Sequence, residues 1–186
     1  MKPFFWGFIL AAGLISQAEQ GPVLTIPARG RLHLNLAGTD WKESSRNTPA
    51  DLPPSRAFER SGEPRGSLEF SVLWSPKKDP SFTTEDNLRS LAISSQAVVR
   101  ANALEKELPL LPLRGTQGQG FYFVATDRTY VKPKGAPVQG EYPVLTQGVL
   151  GVRNGVVNFT VLSDAKNDTT VREALAALRG ATISEP

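Results

Sequence analysis

The chain carries one histidine, His33, and no cysteine, which limits its chemistry before any element is placed. Acid–base catalysis needs a second positioned group, and nothing near His33 in sequence supplies one. One His without Cys cannot assemble the usual zinc set, and no His-Glu-x-x-His pattern occurs. Ser94 and Ser95 fall inside a helical pattern, and no Gly-x-Ser-x-Gly elbow exists, so a hydrolase is the least supported chemistry. Gly115-Thr116-Gln117-Gly118-Gln119-Gly120 is glycine-rich but leads into a strand pattern. A phosphate cradle needs a helix N-terminus after its loop, so this stretch is expected to be a flexible connection. The one oxygen-rich group is Asp164, Asn167 and Asp168, with Asp127 at the end of a neighbouring strand. Such a set could hold Ca²⁺, which takes about six to eight oxygens. Against that, no Asp-x-Asp-x-Asp-Gly loop is present, and a helix cap at Asp168 or Thr170 with turns at Asp164 and Asn167 accounts for the same residues. No catalytic residue and no cofactor is expected.

The other side chains that could carry function are aromatic. Phe70, Trp74, Phe121, Phe123 and Phe159 alternate along strand patterns and read as core. Trp41, Tyr122, Tyr130 and Tyr142 fall at strand edges or in loops, and Tyr and Trp are over-represented in binding surfaces. These four are the candidate partner-contact residues, with burial under a long loop as the competing explanation.

The elements that must position these groups follow from periodicity. Leu32, Leu34 and Leu36 alternate with polar residues, as does Leu68 to Trp74, and both read as strands. Residues 42–66 are polar and rich in Pro, Ser and Arg. They read as an irregular excursion with one short edge strand near Arg56–Arg60, since Pro53 and Pro54 argue against a central strand. Thr83 and Asp86 suggest a capping box opening a helix, whose stripe is Leu88, Leu91, Ala92, Ser95, Val98 and Val99. Pro109 and Pro112 stop it. A strand over Phe121–Thr126 follows, then a loop from Tyr130 to Gly140. Asn154-Gly155 between two apolar runs is a hairpin signal. Asp168-Thr169-Thr170 then opens a closing helix, with Thr170 and Glu173 expected as a second capping box, stripe Val171, Ala174, Leu175 and Leu178, and Gly180 as its end. This order predicts an α+β domain: an antiparallel β-sheet flanked by helices.

Location is read from the first residues. Lys2, the uncharged apolar run Phe4–Ile15 and the small residues Ser16 and Ala18 have the order of a cleavable signal peptide over 1–18, cut after Ala18. The run is shorter than the roughly 20 apolar residues of a spanning helix, so no membrane span is expected after its removal. Residues 19–186 then form a single domain, exported to the periplasm or secreted. With 21 Lys and Arg against 18 Asp and Glu, and Lys77-Lys78 the only adjacent cationic pair, there is no footprint for nucleic acid and no polybasic membrane patch. The absence of cysteine also excludes disulfides and a cysteine nucleophile.

Gly120–Asp127, Gly140-Glu141-Tyr142, Thr146-Gln147-Gly148, Asn158–Leu162 and the closing helix with Ala174-Leu175 resemble the Mog1/PsbP-like superfamily, and most closely its uncharacterised exported bacterial members. The resemblance spans most of residues 29–183 and implies an α/β/α sandwich. Members act by binding other proteins, in nuclear transport and in the oxygen-evolving complex, and none of their contact residues maps onto this chain. The expectation is a non-enzymatic adaptor or assembly domain whose partner is another envelope protein. A small-molecule or Ca²⁺-binding accessory protein is the alternative.

Overall fold

The structure, a computed structural model, describes residues 21–26, 29–44, 52–75, 79–132, 134, 138 and 140–184. The signal-peptide reading of residues 1–18, with Ala18, lies outside them. Ten strands and two α-helices occur among the described residues: β1 Val23–Ile26, β2 Gly30–His33, β3 Trp41–Ser44, β4 Ser55–Arg60, β5 Gly66–Trp74, α1 Glu85–Val99, β6 Leu111–Gly115, β7 Gly118–Thr126, β8 Val144–Val152, β9 Gly155–Ser163, α2 Thr169–Arg179 and β10 Thr182–Ser184. Seven strands form one antiparallel sheet in the order β3-β4-β5-β9-β8-β7-β6, and a small sheet has the order β1-β2-β10. The domain is therefore α+β, as its alternating patterns imply. No helix among the described residues is long and apolar enough to cross a membrane.

Side chains alternate across the large sheet, so its two faces can be read from register. On one face Leu68, Phe70 and Val72 of β5, Val157, Phe159 and Val161 of β9, and Leu150 and Val152 of β8 are buried. They share a core with Val171, Ala174, Leu175 and Leu178 of α2 and with Leu24, Leu32 and Ile183 of the small sheet. On the other face α1 lays Leu88 and Ala92 against Phe121, Val149 and Val156. A third cluster follows under the segment after α1, where Ala103 and Leu108 meet Phe123 and Ala125. Helix α1 packs mainly over β7 and β8 and reaches Val156 at the start of β9. Across β5 and β9 that second face presents Glu69, Ser71, Asn158 and Thr160, none of them buried.

Several local expectations are corrected. The strand expected over Leu32–Leu36 ends at His33, although Leu34 and Leu36 remain buried. Within 42–66, where residues 45–51 lie outside the described set, β3 and β4 are regular strands. β4 pairs on both sides and is not an edge. Pro53 and Pro54 precede it, so they remove no ladder bond, and the Pro54 carbonyl accepts from Val72 N–H. The Gly115–Gly120 stretch is the β6–β7 hairpin, closed by the pair Gly115 and Gly118. A Cβ at Gly118 or Gly120 would collide with the carbonyl oxygen of Gly151 or Val149, so these glycines permit close backbone approach.

The second hairpin turns at Arg153-Asn154, one residue earlier than the Asn-Gly signal, with positive φ at Arg153. In α1 the cap is Thr84, without a side-chain bond, so the expected Thr83/Asp86 box does not form. The buried stripe is Leu88, Ala92 and Gln96, while Val98 is 80% exposed. Gln96 can be buried because its amide donates to the Leu108 carbonyl.

Candidate functional site

One end of the large sheet gathers nearly all the charged and aromatic candidates. The starts of β5 and β8, the ends of β7 and β9, the C-terminus of α1 and the N-terminus of α2 all lie there. Between the end of α1 and the ends of the strands runs a groove of about 340 Å³, lined by Val98, Val99, Asn102, Ala103, Ala125, Thr126, Asp127, Tyr142, Pro143, Leu145 and Leu162. Its walls are mostly aliphatic. Val98 stands at its rim, and Leu104, 63% exposed, follows Ala103 in its wall. The groove opens where α1 stops covering the sheet, beside the half-face of Asn158 and Thr160.

The groove is held by charged side chains that cross between loops. Glu105 accepts from Thr126 N–H at 2.9 Å and Thr126 Oγ1 at 2.7 Å, and pairs with Lys166 Nζ at 2.6 Å. Burial by itself would raise this carboxyl. The bonds from Lys166 and Thr126 reverse that and hold it down at about 2. Arg65 donates to the carbonyls of Val138 and Glu141, pairs with Asp164 at 2.9 Å, and lies 5.2 Å from the centroid of the Tyr142 ring. Its own backbone is fixed, the N–H by Asp164 and the carbonyl by Thr170 Oγ1. Burial raises the Tyr142 hydroxyl, which stays a protonated donor at neutral pH.

The sequence candidates separate here. Trp41 is 8% exposed and donates its indole N–H to Glu173, so it belongs to the core and offers little contact surface. Tyr122 packs partly against the same core. Tyr142 lines the groove, whereas Tyr130 sits earlier in the same β7–β8 connection with its N–H on the Asp127 carbonyl. The four aromatics thus form no single patch.

Among the acids, Asp168 caps α2 through Val171 N–H, and Asp164 is held by Arg65. Asp127 closes a turn on Thr129, accepting both its N–H and its hydroxyl at 2.8 Å, and the backbone bond foremost lowers its carboxyl. Asn167 gives its backbone carbonyl to Arg172. No group of three or more His, Cys, Asp or Glu able to hold a metal ion occurs among the described residues. His33 lies on the small sheet, its Nε2 3.0 Å from Ser184 Oγ.

Arg65 and Glu105 were not among the sequence candidates. Their partners are far away along the chain, Asp164 being 99 residues from Arg65, so no local spacing marks them. At the opposite end of the sheet lies an open, polar hollow of about 510 Å³ between the hairpin turns, lined by Arg114, Gln117, Gln119 and Arg153 among others.

No family model matches the chain, and no curated protein does. Among solved structures, a crystal structure from Bacteroides thetaiotaomicron VPI-5482 is similar at 14% identity with a TM-score of 0.46. The match covers 89% of this chain and 49% of that one. The chain thus spans about half the length of the structure it matches.

Proposed function

We propose that this protein is an exported, non-enzymatic binding domain that recognises another protein of the cell envelope. In this reading the groove takes one or two bulky apolar side chains of the partner. The observation that carries it is an aliphatic groove of about 340 Å³ with Val98 presented to solvent at its rim. A cavity of roughly 150 Å³ accommodates one benzene, so the space suits a pair of such groups. A protein partner is favoured over a free small molecule by the adjoining half-face. Gln147 and Thr160 stand there as cross-strand partners, and offer an amide and a hydroxyl to an extended segment seated in the groove. Export rests on the pattern of residues 1–18. The finer architecture, a Mog1/PsbP-like sandwich, is supported by the quoted motifs and by a helix packed on each face of an antiparallel sheet.

The second reading, an accessory protein for a small apolar molecule, is favoured by the volume alone, which lies within the range of ligand pockets. Affinity capture from an envelope extract of the native host separates the two. The Val98→Asp variant is the control, because an exposed position tolerates charge without loss of fold. A defined protein captured by the unmodified chain and lost with Val98→Asp supports the adaptor reading. Identical capture by both overturns it. No capture, with a neutral apolar probe bound in a Val98-dependent manner, replaces it with the small-molecule reading.

A further inference from the structure

We propose that Arg65 is the positioning residue that sets the width of the groove, and with it the largest group the groove accepts. The inference rests on the reading of the groove as a binding site. Tyr142 and Pro143 line the groove together with Val98 and Val99 and supply its wall from the β7–β8 loop. That loop is gripped by Arg65. One guanidinium holds the carbonyls of Val138 and Glu141 and lies over the Tyr142 ring. Asp164, on the loop after β9, pairs with that guanidinium and accepts the Arg65 backbone N–H as well. The wall is therefore registered to β9 through one side chain. The fork geometry matters, because a planar guanidinium can reach two carbonyls and a carboxylate together, whereas an ammonium acts as a single compact charge. The Nε of Arg65 is buried without a hydrogen-bond partner, so the grip lies wholly in the two terminal nitrogens. Within the same loop the Glu141 N–H donates to the Val138 carbonyl, which makes Glu141 an internal reporter of the wall.

The test follows the methyl resonances of Leu145 and Leu162 in the full chain. They are titrated with indole, a small neutral probe, and with N-phenyl-1-naphthylamine, a larger one, while hydrogen exchange is read at the Glu141 amide. Arg65→Ala is expected to raise the large-to-small affinity ratio about tenfold, the scale on which a pocket discriminates size, and to release the Glu141 amide. Arg65→Lys is expected to fall between. Should Arg65→Ala not fold, Asp164→Asn, which weakens the tie of the guanidinium to the loop after β9 and leaves the carbonyl bonds in place, is expected to raise the ratio by less and to keep the Glu141 amide protected. An unchanged ratio in the variants, with both probes still shifting the methyls, overturns the role of Arg65 and leaves the groove standing. Methyls that respond to neither probe in the unmodified protein overturn the groove itself.

Discussion

At one end of the seven-stranded sheet the chain reverses twice within two residues, at Thr116-Gln117 and at Arg153-Asn154. At the other end the connections are longer, residues 127–143 between β7 and β8 and residues 164–168 between β9 and α2. The turn end is tightened by backbone against backbone, and Gly118 and Gly120 leave no room there for larger side chains. The loop end is fastened by charged groups reaching across: Arg60 to Asp40 and Glu173, Arg65 to Asp164, Lys166 to Glu105. The turn end should thus be sensitive to side-chain size and indifferent to pH and salt, and the loop end the reverse. The binding groove lies at the end whose geometry is set by electrostatics.

The contrast is broken most forcefully at Glu173. Arg60 is only 7% exposed, and Glu173→Ala strips it of one carboxylate and frees the Trp41 indole N–H. A loss of about 3 kcal/mol is expected in urea melts, the low end for breaking a buried pair because Asp40 remains. A loss below about 1 kcal/mol would mean that this charge is not what fastens the loop end. Gly120→Ala tests the turn end: forcing a methyl against the Val149 carbonyl is expected to cost about 1–3 kcal/mol, unchanged between low and high salt.

A pH series on Glu105 sharpens the comparison further. Its carboxyl is held at about 2, below the ordinary 4.5. The stabilisation is therefore fully present above pH 4.5 and lost as pH falls toward 2. Melting temperatures should drop through that window in the native chain, and Glu105→Gln should remove this part of the slope. The smallest effect is expected from Glu85→Ala. It removes an exposed pair with Arg89 on α1 and should shift stability by less than about 0.5 kcal/mol. A larger shift would show that an exposed pair at the turn end carries more than its screening allows.

The legible parts of the molecule are those written in local periodicity. Leu68–Trp74 alternates cleanly and is β5, and the Asp168 cap with its apolar stripe is α2. The short strand near Arg56–Arg60 is β4, but its place inside the sheet was hidden by the two prolines just before it, and β3 was hidden because its residues mix charge with an apolar Trp41. Arg60 looks like surface until it is seen at the centre of an ion cluster. Val98 matches the helical period of Leu91 and Ser95 yet faces out, because the buried line of α1 runs through Leu88, Ala92 and Gln96. Of the site, Tyr142 and Asp127 were visible as types of residue, but their association with Val98 and Leu162 depends on where the sheet ends. Arg65 was invisible, since its partner Asp164 arrives only after β9, 99 residues on.

Pro112 lies in β6, the outermost strand beside β7. Counting from the closing pair Gly115 and Gly118, bonded and unbonded positions alternate, which turns the backbone of Pro112 away from β7 and outward. Having no N–H, it costs the sheet nothing and withholds a donor from any strand approaching from another molecule. The opposite margin, β3, is only four residues long. Both borders of the sheet are thus poor templates for intermolecular β-pairing, so crowding should leave the molecules separate rather than stitched into fibrils.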